Sequence, residues 1–248
     1  MFTVRRPVVH LVWIAIFASV LSLARAGDPP TSSAPSASQP SSQSRPAVPD
    51  PERFAGEIRA FAEYDRKNTP PKGAVLFVGS SSIRMWATVT SFPQWTVINR
   101  GFGGSQITDV LHYFDHVVTP YDARAIVFYA GDNDVAEGRT PEQVCDSFSE
   151  FVQRVRVRQA TVPIFFLAIK PSAARWHMWP QAQRANELVR DYCGRGPHLH
   201  YVDVASILLG ADGRPDPSLY MPDALHLNEA GYAAWTRLLT RVLAELGG

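Results

Sequence analysis

The stretch AVLFVGSSSI (74–83) decides the fold of this chain. Its first five residues are all apolar, which is typical of a β-strand buried on both faces of a sheet. A glycine and three serines follow, and such residues at the end of a strand usually form a turn or cap a helix. A strand buried on both faces needs helices above and below the sheet, so this stretch predicts an α/β protein.

Four more apolar runs occur farther along the chain, and segments with helical spacing separate them. The runs are TVINRG (96–101), AIVFYAG (125–131), PIFFLAIK (163–170) and LHYVDV (199–204). Helices are predicted over 51–65 and 107–118, after Thr140, from Pro180 and after Asn228. Thr140 and Gln143 have the spacing of a capping box, and Asn228 is a favourable N-cap. Strands that alternate with helices predict a five-stranded parallel sheet with helices on both faces.

The first 50 residues differ in composition from the rest of the chain. Residues 1–26 carry Arg5 and Arg6, then an apolar run, then a small-x-small pattern, as a cleaved signal peptide does. The run is short for a membrane span, so we predict cleavage; an uncleaved segment that tethers the protein to a membrane is the alternative. Residues 27–50 are rich in serine and proline, which predicts a disordered linker. The folded domain is expected over 51–248, in a protein exported to the periplasm or the cell exterior.

Charge and cysteine content exclude some classes of protein. The 24 Lys and Arg residues nearly balance the 23 Asp and Glu residues, and no basic stripe suggests a nucleic-acid partner. Cys145 and Cys193 are far apart in sequence, and no Cys/His spacing resembles a zinc site. Two buried thiols are favoured for them, with a disulfide as the alternative in an oxidising compartment.

Glycine and polar residues follow the predicted strands at the positions where a ligand would bind. In open parallel sheets, ligands lie beyond the carboxyl ends of the strands. The segments after the first three strands are GSSS (79–82), GFGGS (101–105) and GDND (131–134), and DALH (223–226) precedes the last helix. Each segment alone has an ordinary explanation: a turn, a glycine with positive φ or, for GDND, an Asx-turn or a calcium-binding loop.

Together these residues supply the parts of one chemistry, which is acyl transfer. A serine hydroxyl becomes a good nucleophile when a base takes its proton, and His226 is a candidate base. Asp223, three residues earlier, can orient the imidazole and stabilise its cation. The backbone N–H of Gly104, the side-chain amide of Asn133 and the N–H of the nucleophile can donate to the developing oxyanion. The α/β-hydrolase pattern G-x-S-x-G is absent, which argues against that fold.

The four blocks FVGSSSI, NRGFGGSQ, YAGDND and DALH, in this order, resemble those of the SGNH hydrolases, also called GDSL-type esterases and lipases. The resemblance runs from about residue 52 to 246. It implies a flavodoxin-like three-layer α/β/α sandwich that hydrolyses esters without a metal or cofactor. It also implies that Ser81 is the nucleophile, Gly104 and Asn133 are oxyanion donors, and Asp223 and His226 complete the triad.

One residue departs from the family pattern. The usual first block reads Gly-Asp-Ser, whereas Ser80 occupies the position of the aspartate here. Alignment on Gly79 makes Ser81 the nucleophile, and Ser80 and Ser82 remain alternatives.

The segment IKPSAARWHMW (169–179) follows the fourth predicted strand, on the same side of the sheet as the other candidates. Lys170, Arg175, Trp176 and Trp179 are predicted to line the substrate cleft. The alternative is a solvated loop with one tryptophan anchored in the core. Tryptophan faces suit sugar rings, and cations suit carboxylate or phosphate groups.

We therefore predict a metal-independent serine esterase whose partner is a small-molecule or glycan ester. The segments 170–180 and 210–222 are too polar to form a lipid-binding cap, so short acyl groups are favoured, such as acetyl esters of a carbohydrate. A non-catalytic envelope protein that binds acylated glycans is one alternative, and a lysophospholipase or lipase is another.

Overall fold

The computed structural model of the chain describes residues 49–245. The predicted signal peptide (1–26), residues 27–48 of the predicted linker and the last three residues of the chain lie outside the described residues. Within 49–245, no helix combines the length and the apolar character that crossing a membrane requires.

A five-stranded sheet forms the centre of the domain, and all of its strands are parallel. The strands are β1 (Ala74–Gly79), β2 (Val97–Gly101), β3 (Ala123–Tyr129), β4 (Ile164–Leu167) and β5 (Leu199–Val202). Their order in the sheet is β2-β1-β3-β4-β5, which is the flavodoxin-like order. The predicted number and direction of the strands are therefore confirmed, and each strand overlaps its predicted run.

Nine α-helices connect and cover the strands in the described residues. They are α1 (Ala55–Lys67), α2 (Ser81–Arg84), α3 (Thr88–Ser91), α4 (Ile107–His112), α5 (Phe114–Val117), α6 (Asp132–Ala136), α7 (Pro141–Arg158), α8 (Trp179–Arg195) and α9 (Glu229–Ala244). The predicted caps are present: Thr140 and Gln143 bond each other's backbone N–H, and the Asn228 side chain accepts from Gly231 N–H at 3.1 Å. The single helix predicted over 107–118 is two short helices, because Tyr113 leaves helical geometry between them.

Side chains alternate across the sheet and divide the core into two layers. On β3, Ile126 and Phe128 pack under α1, α4, α5, α7 and α8, whereas Val127 and Tyr129 pack under α2 and α9. The second layer is rich in aromatic rings, and Trp235 of α9 is fully buried there. Two helical layers around one sheet make a three-layer α/β/α sandwich, which confirms the predicted fold.

The strand order reverses at β1, and this reversal creates the position of the site. β1 pairs with β2 on one side and with β3 on the other, so the loops after these strands meet at one point of the sheet edge. Gly79 has a φ of 142°, and a Cβ there would lie 1.8 Å from the Tyr129 carbonyl oxygen. Only glycine therefore lets the chain leave β1 so close to β3.

Both cysteines are free thiols at the packing of α7 against α8. Cys145 is half-buried on α7, and Cys193 is buried on α8. Burial raises the pKa of both thiols, that of Cys193 to about 12, so neither is poised as a thiolate at neutral pH.

Candidate active site

The three serines after β1 lie at the N-terminus of α2, and they differ in their partners. Ser80 is the N-cap residue, and its backbone N–H donates to the Tyr129 carbonyl at 2.9 Å. The hydroxyls of Ser80 and Ser82 are buried, and neither has a hydrogen-bond partner in the described part of the chain. The Ser81 hydroxyl lies 3.1 Å from Nε2 of His226. The geometry therefore favours Ser81 among the three serines.

His226 lies between Ser81 and Asp223. Its Nδ1 is 2.7 Å from Oδ2 of Asp223, while its Nε2 faces the Ser81 hydroxyl. The other carboxylate oxygen of Asp223 accepts the backbone N–H groups of Leu225 and His226 at 3.0 and 2.9 Å. These bonds close a tight turn in which Ala224 has a φ of 53°, and the turn brings a carboxylate and an imidazole three residues apart into contact.

The carboxylate of Asp223 is exposed and is ionised at neutral pH. The hydrogen bond from the His226 side chain is the main cause that lowers the pKa of Asp223 to about 2. The two backbone N–H groups of the turn lower it further. An ionised carboxylate here can hold the Nδ1–H tautomer of the imidazole, which leaves Nε2 free to accept the serine proton.

Backbone N–H groups without acceptors lie close to this chain of side chains. Ser81 is the first residue of α2, and neither its N–H nor that of Gly104 donates a hydrogen bond to another group in residues 49–245. Gly104 is exposed, has a φ of 80° and stands between β2 and α4. The positive φ makes glycine the suitable residue at this position.

Asn133 reaches the same edge of the sheet from α6, directly after β3. Its Nδ2 donates to the Ser105 carbonyl at 3.0 Å, which joins it to the loop that carries Gly104. Its Oδ1 accepts from Nη2 of Arg175 at 3.0 Å. An amide nitrogen carries two hydrogens, so one N–H remains for a ligand after the bond to Ser105.

The two aspartates of the GDND segment have structural partners. Asp134 is buried, and both of its carboxylate oxygens accept the Ile107 N–H, at 3.1 and 3.2 Å, which ties α6 to the start of α4. Burial is the main cause that raises the pKa of Asp134 to about 7, and the nearby charge of Asp132 adds to it. Asp132 pairs with Lys170 and Arg175. In residues 49–245, no group of three or more His, Cys, Asp or Glu side chains is arranged to hold a metal ion.

The four residues predicted to line the substrate cleft lie in different environments. Lys170 is buried, and its ammonium group is 3.4 Å from Asp132, so it has almost no surface for a substrate. Arg175 contacts Asn133 and Asp132. Trp176 and Trp179 stack with ring centroids 6.1 Å apart; Trp179 packs against both core layers, and Trp176 is half-buried. Only Trp176 and Arg175 therefore offer a partly exposed side chain without belonging to the core.

A groove that lies beside the site was not predicted from the sequence. It has a volume of about 850 Å³ and runs between the α2–α3 segment and α9; its lining includes Met85, Trp86, Met221, Leu227, Tyr232 and Arg237. Backbone hydrogen bonds join Met85 to Ser81 and Met221 to His226, so the groove begins next to the site. Met85 follows Ser81 by about one helical turn, and this spacing was the one signal that could have revealed it.

The fold and the site together define the class of the protein. The chain has the arrangement of an SGNH hydrolase. It is a flavodoxin-like sandwich with Ser81, Gly104 and Asn133 after its strands and His226 before its last helix. The family model of the GDSL-like lipase/acylhydrolase family matches residues 80–234. The chain belongs to this family, and it is accordingly an ester hydrolase.

Solved structures with low sequence identity share the fold. A protein from Streptococcus pneumonia, provisionally assigned as a platelet activating factor, is 21% identical, with a TM-score of 0.69 over 77% of this chain and 93% of that one. A GDSL-like lipase from Bacteroides thetaiotaomicron is 18% identical, with a TM-score of 0.63 over 79% and 98%. A mutant of Axe2, an acetyl xylan esterase from Geobacillus stearothermophilus, is 14% identical, with a TM-score of 0.57 over 71% and 95%. Among curated proteins, no match was found.

Proposed function

We propose that this protein is a serine esterase in which Ser81 is the nucleophile, His226 the general base and Asp223 the residue that orients the base. One observation carries the proposal: the continuous contact from Asp223 through His226 to Ser81, at 2.7 and 3.1 Å, at the carboxyl edge of the sheet. A hydroxyl hydrogen-bonded to an imidazole, which is in turn held by an ionised carboxylate, is an activated nucleophile.

The proposed reaction has two halves. Nε2 of His226 takes the proton of the Ser81 hydroxyl while the oxygen attacks the ester carbonyl, and the imidazolium is stabilised by Asp223. The tetrahedral oxyanion accepts hydrogen bonds from the N–H groups of Ser81 and Gly104 and from the side chain of Asn133. The intermediate collapses as His226 gives its proton to the departing alcohol, which leaves an acyl group on Ser81. Water then attacks the carbonyl of this acyl-enzyme as His226 takes its proton, with the same donors for the oxyanion. The bond to the Ser81 oxygen breaks, His226 returns the proton to that oxygen, and the carboxylic acid leaves.

Each step uses groups of the chain itself, so we propose activity without a metal or cofactor. The proton moves between Ser81, His226 and the leaving group, and the negative charge on the carbonyl oxygen is met by three N–H donors. A metal ion could supply the same charge stabilisation, but the three N–H donors already provide it in the proposed mechanism.

The proposed substrates are esters with short acyl groups, such as acetyl esters of a carbohydrate. Two features support this proposal: the polar character of the segments 170–180 and 210–222, and the half-buried ring of Trp176 with the Arg214 guanidinium 6.0 Å from it. An aromatic face beside a cation suits a sugar ring that carries acidic groups. The acetyl xylan esterase with the same fold acts on such esters by its own description.

The groove lined by Met85 and Met221 favours a second candidate function, a lysophospholipase or lipase. Both methionine side chains are more than one-third exposed, and methionine adapts to flexible apolar groups. An acyl chain that lay in this groove would leave the site along α9. The two candidates therefore differ in which side chains contact the substrate.

Substrate profiles of matched variants separate these candidates. We expect kcat/KM for p-nitrophenyl esters to be highest at acetate and to fall toward palmitate, with Met85→Ala and Met221→Ala little changed on acetate. Trp176→Ala should weaken the release of acetate from acetylated xylan and leave p-nitrophenyl acetate unaffected. A rise of kcat/KM toward long chains that the two methionine variants abolish would instead establish the lipase.

The test of the serine mechanism compares the three adjacent serines. Ser81→Ala should lower kcat by about 10⁴-fold or more, because the N–H donors remain but nothing attacks the carbonyl. Ser80→Ala and Ser82→Ala are the matched controls and should keep most of the activity. Activity in Ser81→Ala with loss in a neighbour would move the nucleophile, and a purified wild-type protein that binds acetylated glycan without turnover would favour the non-catalytic alternative.

A further inference from the structure

Three charged side chains behind Asn133 are not used by the proposed mechanism. Lys170 is buried after β4, and its ammonium group lies 3.4 Å from Oδ2 of Asp132. The same carboxylate oxygen is 3.5 Å from Nη1 of Arg175, whose other terminal nitrogen donates to Oδ1 of Asn133 at 3.0 Å. Lys170, Asp132 and Arg175 thus form a cluster of two cations and one carboxylate that ends on the amide of Asn133.

The orientation of that amide decides whether Asn133 can donate to an oxyanion. The two ends of an asparagine side chain have nearly the same shape, but only the nitrogen end is a donor. In the structure the nitrogen end faces the Ser105 carbonyl, and the oxygen end faces Arg175. After a flip, the amide oxygen would face a carbonyl and the amide nitrogen would face a guanidinium. Both contacts would then be repulsive, so Ser105 and Arg175 select the same orientation.

We infer that Arg175 is a positioning residue for Asn133: it holds the amide oxygen so that the amide N–H groups face Ser105 and the reacting carbonyl oxygen. This inference rests on the proposed function, because it assigns Asn133 its role as an oxyanion donor. Asp132 faces the guanidinium in turn at 3.5 Å, and Lys170 pairs with the same carboxylate oxygen. Arg175 is therefore not a contact of the substrate, which differs from the role predicted for it in the sequence.

The charge of Arg175 strengthens the same donor. A hydrogen bond from a cation to a carbonyl oxygen polarises the amide, which makes its N–H groups better donors. The cluster carries one more positive than negative charge, and its positive end lies on the side of Asn133. The Ser105 carbonyl still orients the amide when Arg175 is replaced. Replacement of Arg175 should therefore lower kcat less than replacement of Asn133 itself.

The experiment is a double-mutant cycle of Arg175→Ala and Asn133→Ala on a soluble short-chain ester. We expect Arg175→Ala to lower kcat by about tenfold with KM within about twofold, below the 10²–10³ expected for Asn133→Ala. In the Asn133→Ala background, Arg175→Ala should have no further effect, because the amide it positions is absent. Arg184→Ala is the matched control: it removes an exposed arginine of α8 whose ion pair is with Glu187, away from the site, and it should leave kcat unchanged.

Each other outcome overturns the inference. A raised KM with unchanged kcat in Arg175→Ala would make Arg175 a substrate contact, and a loss that persists in the Asn133→Ala background would show that it acts elsewhere. If Arg175→Ala does not fold, the cycle is run with Arg175→Met, which keeps the length of the side chain but cannot donate to the amide oxygen and should show the same loss of kcat. Arg175→Lys, whose ammonium can still donate to the amide oxygen, should keep most of kcat. Failure of the proposed function is distinct from these results, because wild-type protein would then have no esterase activity or Ser81→Ala would keep it.

Discussion

Ser80, Ser81 and Ser82 are adjacent, yet only Ser81 has its hydroxyl beside the imidazole. The sequence could name these residues because serine, histidine and aspartate at strand ends and in a tight turn have a shared chemistry. It could not choose among the serines, since the direction of each hydroxyl depends on how α2 begins after Gly79. The burial of Lys170 could not be predicted either, because it depends on the ion pair with Asp132, which is 38 residues away in the chain.

Asn133→Ala tests the oxyanion donor at the same scale. We expect kcat to fall by about 10²–10³ with KM nearly unchanged, because the hydrogen bond gains strength only as charge develops in the transition state. The measurement is steady-state kinetics on a short-chain ester with and without EDTA, and EDTA should have no effect. A change in KM alone would make Asn133 a binding or turn residue, and loss on chelation with rescue by a divalent ion would assign the GDND segment to a metal.

Asp134 predicts a pH dependence of stability. Its pKa is raised from 3.8 to about 7 in the folded protein, so between about pH 4 and pH 7 the folded state binds more protons than the unfolded state. The contribution of Asp134 to the free energy of unfolding must therefore fall as pH rises through this window and stay constant above it. The free energy of unfolding of Asp134→Asn minus that of the wild type should rise by about 1 kcal/mol or more between pH 4.5 and pH 7.5, as measured by urea denaturation. A difference between the two proteins that is independent of pH would contradict this assignment.

Elements were predicted best where the local signals were strong. The five strands and the helices after Thr140 and Asn228 are present with their caps, because apolar runs and capping side chains act over a few residues. Strands β3 and β4 end earlier than predicted, because the apolar residues that follow are buried in the loops instead of the sheet. The split of 107–118 at Tyr113 was not visible, since its ring is buried and its hydroxyl donates to the Pro51 carbonyl.

Gly79→Ala tests how the end of β1 positions the site. A Cβ at this glycine would lie 1.8 Å from the Tyr129 oxygen, and its φ of 142° is unfavourable for alanine. We expect a loss of about 3 kcal/mol or more in the free energy of unfolding, or failure to fold. Gly56→Ala is the matched control, because a Cβ there meets no atom within 4 Å and the helix α1 should gain up to about 1 kcal/mol. Equal stabilities of the two variants would show that the close approach of β1 to β3 is not what requires glycine.

At the scale of the whole molecule, the alternation of strands and helices was sufficient to predict the sandwich. The order of strands and the groove along α9 were not predictable from local patterns, because they depend on which layer each helix joins. The proposal that the protein is exported depends on residues 1–26, which lie outside the described residues, so its evidence is the sequence alone.

We expect the exported protein to begin near Gly27. Mass spectrometry of the native protein should find that residues 1–26 have been removed, because a small residue at each end of Ala24-Arg25-Ala26 suits signal peptidase. Ala26→Leu is the matched variant and should retain the segment and partition with membranes. Wild-type protein that carries an intact residue 1–26 segment in the membrane fraction would establish an anchor instead.

The central claim is that Ser81 is the nucleophile, and a covalent label tests it most directly. A fluorophosphonate phosphonylates an activated serine with loss of fluoride, and the tryptic peptide 73–84 contains all three serines between Lys72 and Arg84. Fragment ions from this peptide should place the adduct on the Ser81 oxygen, and His226→Ala should abolish the labelling because the serine then has no base. An adduct on Ser80 or Ser82, or an active esterase that takes no label in this peptide, would contradict the account.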